Sequence, residues 1–254
     1  MTEIMAHRGS RINRPENTLA AFEEAVRAGA DGIELDVHLS QDGQVVVIHD
    51  ETVDRTTNGS GLVHQLTLTD IKNLDAGAWF DLAFAGERIP TLLEVLELLE
   101  GLGFGGRLNI ELKRGKNRGM EKKIYSLLQQ KNWPFEILFS SFSLLALWRL
   151  HRLLPAAEVA YLIKKSRFLL LLGKYLPWIS SLHIGHQAYF QASFSTPKKL
   201  RLWTINDEGA MNRAFQLEVE AIITDKPEVA KAVRETLNSV EDSASPLQIG
   251  QSCV

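Results

Sequence analysis

Short β-branched runs alternate with longer helical stretches along 254 residues, the alternation supplies eight strand–helix units, and no glycine-rich phosphate loop follows any strand. These observations predict an α/β fold of the (β/α)8 kind, a TIM barrel, with a small insertion after the second strand. An open doubly wound sheet is the main competitor, and it lacks its usual support because neither GxGxxG nor GxxxxGK[ST] is present.

The first strand is expected over Ile4 to His7, followed by a helix over Thr18 to Ala28 that Asn17 or Thr18 can cap. A second strand over Gly32 to Leu39 turns at Gln41-Asp42-Gly43 into a hairpin partner over Val45 to His49. Residues 51–90 carry turn signals, Thr56-Thr57-Asn58-Gly59-Ser60-Gly61 among them, and no clear helical unit. This stretch is the expected insertion, on the face where barrel enzymes keep their active sites, and it is expected to wall the pocket. Further strands are expected at Arg107 to Lys113, Ile137 to Phe142, Glu158 to Ile163, Leu182 to His186, Arg201 to Asn206 and Ala221 to Thr224. The remaining helices fall at Leu92 to Leu102, Gly119 to Lys131, Leu144 to Leu154, Phe168 to Leu176, Glu208 to Leu217 and Glu228 to Asn238. Asp225 and Glu228 stand at capping-box spacing before the last helix, with Pro227 tolerated in its first turn. The division is thus one catalytic barrel over 1–238, with 51–90 inserted in it, and a loosely ordered Ser-rich tail over 239–254.

With 45% hydrophobic and 23% charged residues the composition is that of a globular protein. A net charge of -3 argues against a nucleic-acid binder that relies on general attraction to the phosphate backbone. The start MTEIMAHRGS carries no apolar leader, and Cys253, the single cysteine, excludes an intrachain disulfide and a cysteine-rich metal site. The cytoplasm is the expected compartment. The run Lys164-Lys165-Ser166-Arg167, followed by the apolar stretch from Phe168 to Leu172, reads as an outer barrel helix with a solvated basic start. Contact with a lipid surface is the alternative, but the run is too short to span a bilayer, so stable membrane insertion is not expected.

In a strand, residues i and i+2 point to one side, so Glu34 with Asp36, and Glu111 with Lys113, each project together. Glu34, Asp36 and Glu111 offer hard oxygen ligands of the type preferred by Mg²⁺ or Ca²⁺. Taken singly, each reads equally well as a surface acid; the spacing inside apolar strands favours convergence. His7 and His49 sit at strand ends, where two imidazoles supply the base and the acid that phosphodiester cleavage needs. Arg8 can present a planar fork to phosphate oxygens and Lys113 a point charge, although either could instead pair with the nearby acids. Trp203 offers either an apolar wall for a ligand or core packing. His38, His64, His151, His183 and His186 are read as structural.

The ordered set His7-Arg8-Gly9, Pro15-Glu16-Asn17-Thr18, Glu34-Leu35-Asp36-Val37, His49-Asp50, Asp54 to Gly59, Glu111-Leu112-Lys113, Trp203 to Asn206 and Ile223 to Pro227 resembles the glycerophosphodiester phosphodiesterase family. The likeness runs from the first strand to the last and is weakest from Ser180 to Ser195. It implies a (β/α)8 barrel with an insertion after the second strand and one divalent cation, Mg²⁺ or Ca²⁺, on Glu34, Asp36 and Glu111. It also implies acid/base roles for His7 and His49 and phosphate contacts from Arg8 and Lys113. The implied partner is a small glycerophosphodiester, such as glycerophosphocholine or glycerophosphoethanolamine, hydrolysed to sn-glycerol 3-phosphate and an alcohol. The rivals are a lyase or lysophospholipase D acting on acylated phosphodiesters, and a binding protein that cleaves nothing.

Overall fold

The computed structural model describes residues 1–115, 119–191 and 195–244. In chain order its elements are β1 (Glu3–His7), α1 (Leu19–Arg27), β2 (Gly32–Leu39), β3 (Val45–Val47), α2 (Leu68–Lys72), α3 (Leu92–Gly101), β4 (Arg107–Leu112) and α4 (Met120–Leu128). They continue with β5 (Glu136–Ser141), α5 (Leu144–Leu153), β6 (Glu158–Ile163), α6 (Arg167–Tyr175), β7 (Ser181–Gly185), α7 (His186–Gln191), β8 (Lys199–Trp203), α8 (Glu208–Gln216), β9 (Ala221–Thr224) and α9 (Pro227–Ala244). Eight strands pair in parallel, and β1 bonds to both β2 and β9, which closes the sheet into the expected barrel. β3 lies antiparallel on β2, as the hairpin signal requires.

The strands alternate between two cores. Ile33, Leu35 and Val37 of β2 face outward and pack with Phe22, Leu96 and Leu99 from the surrounding helices. Inward positions build a narrow apolar belt of Met5, Leu138, Ala160, Ala221 and Ile223, with polar layers above and below it. On the lower side Arg201 is fully buried and pairs with Glu158 and, at 3.6 Å, with Glu220. Arg107 bridges Glu3 at 2.9 Å and Glu136 at 2.6 Å in the same layer. His183, opposite Arg201 in the β7–β8 register, is wholly buried, and burial followed by the Arg201 charge keeps it neutral.

Strand ends shift by one to three residues, most at β8, which stops at Trp203 and not at the expected Asn206, and at β3, which ends at Val47 and leaves His49 two residues beyond it; three helices differ more. α2 begins on Thr67, whose hydroxyl and the Asp70 carboxylate cap reciprocally; the helix is one short turn, too brief for a helical period to register. α7 follows β7 directly, so His186 starts a helix and does not end a strand. α9 continues to Ala244, past the expected end at Asn238; Val233 and Leu237 keep helical spacing and the sequence has no breaker before Pro246. The rest of the expected tail, 245–254, lies outside the described residues. The insertion packs on a small core of its own, Val46, Ile48, Val53, Val63, Ile71 and Ile89, seated over β3.

Burial alone would raise the Glu158 carboxyl, but the Arg201 charge and hydrogen bond pull it down to about 2. A depressed folded pKa stabilises fully above the unfolded value of 4.5 and ceases to do so as pH falls through about 2. Its contribution at neutral pH is on the order of 3 kcal/mol. Glu158→Gln is expected to lower stability by about that amount at neutral pH and to flatten the acid dependence between pH 4.5 and about 2. Urea unfolding midpoints across that range check this; superimposable curves for the two proteins would contradict it.

Candidate active site

Strand register brings the acids together. The β1–β2 pairing sets His7 beside Glu34, and the β2–β4 pairing sets Asp36 beside Glu111. His7 and Glu111 stand toward the C-terminal ends of their parallel strands, Glu34 lies level with His7 and Asp36 with Glu111, and all four point into the barrel. Glu34, Asp36 and Glu111 are buried, and each offers a carboxylate oxygen within 4.8 Å of the others. Burial, then repulsion from Asp36 and Glu111, pushes the Glu34 carboxyl well above its ordinary value. Burial pushes Glu111 up to about 7 despite the Lys113 charge, whereas Lys113 and Arg8 overcome burial at Asp36 and hold it far below the carboxylate range. An all-oxygen anionic donor set in which two members tend to keep a proton fits a hard divalent cation, whose binding would displace those protons.

The two imidazoles are held in the same way. His7 Nδ1 donates to Asp225 Oδ1 at 2.6 Å, and His49 Nδ1 donates to Asp50 Oδ1 at 2.6 Å. Because an ionised carboxylate only accepts, each ring's proton is assigned to Nδ1, which leaves Nε2 for chemistry. His7 Nε2 lies 4.0 Å from Glu34 Oε2. Burial lowers both imidazole pKa values, more than the neighbouring carboxylates raise them. Asp225 and Asp50 sit at about 2: burial would raise both, but for Asp225 the His7 bond, and for Asp50 the Arg55 and His49 bonds, prevail. Asp225 also accepts from Asn206 Nδ2 at 2.7 Å, so its carboxylate faces the site and does not form the capping box that its spacing to Glu228 suggests. Glu228 itself accepts from Ser10 and Asn13.

The turn after β1 aims Arg8. Arg8 and Gly9 both have positive φ, 59° and 81°, and a Cβ on Gly9 would come within 2.6 Å of the Ala21 carbonyl carbon, so only glycine lets this turn seat on α1. Arg8 then donates from its backbone N to Glu34 Oε2 at 3.1 Å and from Nη1 to Glu16 Oε1 at 2.7 Å, with Nε 3.3 Å from Asp36. Lys113 Nζ bridges Asp36 Oδ1 and Glu111 Oε1, each at 2.8 Å. Both expected phosphate cations therefore touch the acid cluster. Asn17 Nδ2 donates to Asp36 Oδ2 at 2.8 Å, and Arg55 ties Glu16 at 2.8 Å to Asp50 at 2.6 Å.

A cavity of about 110 Å³ opens among these groups, with His7, His49, Glu34, Glu111 and Lys113 on one side and Phe142, Leu162 and Trp203 on the other. Trp203 serves both readings: it lines the cavity and packs edge-on against Phe142, centroids 5.7 Å apart, next to the apolar belt. No described residue of 51–90 lines this cavity; the insertion folds onto its own core, sends Arg55 to Glu16 and Asp50, and sets Thr56, Ala76 and Ile89 around a smaller cleft beside His49, Glu16 and Asn17. Of the histidines read as structural, His38 shares a hydrogen bond with the His49 carbonyl at 3.2 Å, and His151 stacks on Trp178. Glu16, Asp50, Arg55 and Asp225 all fall within the motifs that carry the family resemblance, but none of them was given a role in the site from the sequence.

A parallel barrel whose mouth carries an acidic trio, two carboxylate-bound imidazoles and an Arg–Lys pair defines a phosphoesterase of the barrel class. The model of the glycerophosphoryl diester phosphodiesterase family matches residues 7–229. A glycerophosphodiester phosphodiesterase of Caldanaerobacter subterraneus is 42% identical over 240 residues, covering 89% of this chain and 95% of the relative. The structure of an Oleispira antarctica phosphodiesterase in complex with the product sn-glycerol-3-phosphate superposes with a TM-score of 0.80 at 33% identity, covering 92% of this chain and 97% of that one. A glycerophosphodiester phosphodiesterase from Agrobacterium tumefaciens gives 0.76 at 31% identity, covering 91% of this chain and all of its own. The chain belongs to the glycerophosphoryl diester phosphodiesterase family and is a hydrolase of glycerophosphodiesters.

Removing the Asp225 charge while keeping its shape, Asp225→Asn, takes away the carboxylate that favours the protonated His7 ring and leaves the burial that lowers its pKa. The His7 ring should then titrate at still lower pH, read from its side-chain NMR shifts, and turnover should fall on the order of a hundredfold as the ring loses its orientation. An unmoved titration would show that the 2.6 Å contact does not persist in solution.

Proposed function

We propose that the reaction is metal-dependent hydrolysis of small glycerophosphodiesters, such as glycerophosphocholine and glycerophosphoethanolamine, to sn-glycerol 3-phosphate and an alcohol. The observation that carries this reading is the convergence of Glu34, Asp36 and Glu111 beside two imidazoles anchored through Nδ1. The product held by the Oleispira antarctica relative supports the glycerol 3-phosphate half of the substrate. Glu34, Asp36 and Glu111 would hold one Mg²⁺ or Ca²⁺, which when bound supplies positive charge against the phosphoryl oxygens.

The chain's own groups do the rest. His7 and His49 enter the reaction through Nε2, one accepting the proton of the attacking oxygen, whether of water or of a substrate hydroxyl whose cyclic phosphate water then opens, and the other returning a proton to the departing alkoxide. Because burial keeps both rings neutral, the anionic phosphate arriving beside one of them favours its protonated form. Arg8 and Lys113 add charge on the phosphate side. Trp203, with Phe142 and Leu162, forms an apolar wall for the glycerol or the alcohol. We read residues 1–238 as one catalytic unit and the single-cysteine composition as suited to the cytoplasm. Among the described residues no helix is long and apolar enough to cross a membrane.

Release of glycerol 3-phosphate from glycerophosphocholine tests the reading. Chelator and Glu111→Ala are each expected to reduce it on the order of a hundredfold or more, as is His7→Ala. Activity indifferent to chelator and to Glu111→Ala would reject the metal site. With both imidazoles below 6.5, the acid limb of kcat/KM should lie below that pH.

A further inference from the structure

From Val159 to Asn206 the chain has seven of its 28 Lys and Arg and none of its 31 Asp and Glu. Within this acid-free stretch α6 turns Leu170 and Gly173 to the barrel; a Cβ on Gly173 would come within 2.8 Å of Leu182. Its other side presents Phe168, Leu171 and Tyr175 at positions i, i+3 and i+7, 71%, 52% and 73% exposed. A folded domain normally keeps such residues scattered, and a stripe of them on one helix marks a contact surface. Lys164 and Lys165 stand exposed at its head, and Lys174 lies 5.7 Å from the Tyr175 ring centre. On α5, Leu145 and Trp148 are 54% and 45% exposed at the same spacing, with the Arg152 guanidinium 5.5 Å over the indole.

We propose that the α6 face is a peripheral docking surface for an anionic lipid bilayer, on which the apolar stripe enters the head-group boundary while the flanking lysines meet acidic head groups. The charge pattern selects this occupant: aromatic and leucine side chains framed by cations alone, on a molecule that is acidic elsewhere, match a negatively charged interface. Neither a spanning helix nor stable insertion is involved. Docking would bring the rim of the active site to the surface, because Lys164 follows at two residues from Leu162, which lines the cavity.

Co-sedimentation with vesicles of phosphatidylglycerol and phosphatidylcholine, against vesicles of phosphatidylcholine alone, tests this on the full chain. Binding is expected only to the anionic vesicles and should weaken steeply with salt. Lys164→Glu/Lys165→Glu, and separately Phe168→Ala/Leu171→Ala, should each lower the partition coefficient by about tenfold or more, with circular dichroism and thermal unfolding unchanged. The lysine pair keeps the test decisive should the stripe variant fail to fold. No association with anionic vesicles, or variants that bind as the parent does, would overturn the proposal. So would light scattering showing that the stripe variant dissolves a dimer in protein that ignores vesicles.

Discussion

Burying three carboxylates within 4.8 Å of one another is the constraint around which this molecule is arranged. Repulsion at that distance is severe in a medium less polar than water, and positive charge has to be brought in to offset it. Arg8 and Lys113 do so, but a buried guanidinium also needs a counter-charge, which Glu16 provides at 2.7 Å. Glu16 in turn is held by Arg11 at 2.9 Å and by Arg55, and is kept at about 2 by those bonds against the effect of burial. Charge therefore alternates outward from the acids until it reaches side chains that solvent can screen.

The barrel interior repeats this logic at its other end. Arg201, buried completely, leans on Glu158 and Glu220, and Arg107 on Glu3 and Glu136. Between the two charged layers lies the apolar belt of Met5, Leu138, Ala160, Ala221 and Ile223, with buried Asn109 of β4 beside it. The upper layer is poised for ligands because its acids outmatch its cations locally. The lower layer is balanced in pairs and reads as stability, which agrees with the general division of labour between the two faces of such barrels.

Most of the barrel was legible because strands and helices announce themselves by period: β2, β6 and β9 fall where the β-branched runs place them. α2 and α7 were not, since five- and six-residue helices are shorter than the window in which a period is visible. In the site, the residues on strands were readable from i, i+2 spacing, as with Glu34 and Asp36. Asp225 was not, because its sequence neighbourhood suits a helix cap equally well and only the closure of β9 onto β1 brings it to His7 across 218 positions. Arg55 stands in the quoted motif Asp54 to Gly59, but nothing local reveals that its partners are Glu16 and Asp50.

Arg55 joins the anchor of one imidazole to the counter-ion of Arg8, and it does so from a segment with a separate small core. Within residues 51–90 the constraints are therefore of two kinds, the buried side chains of that small core and this one guanidinium, while the exposed turns between them can vary. A chimera that exchanged this segment for one from a relative, in search of a new head-group preference, would have to carry an arginine reaching the same two carboxylates.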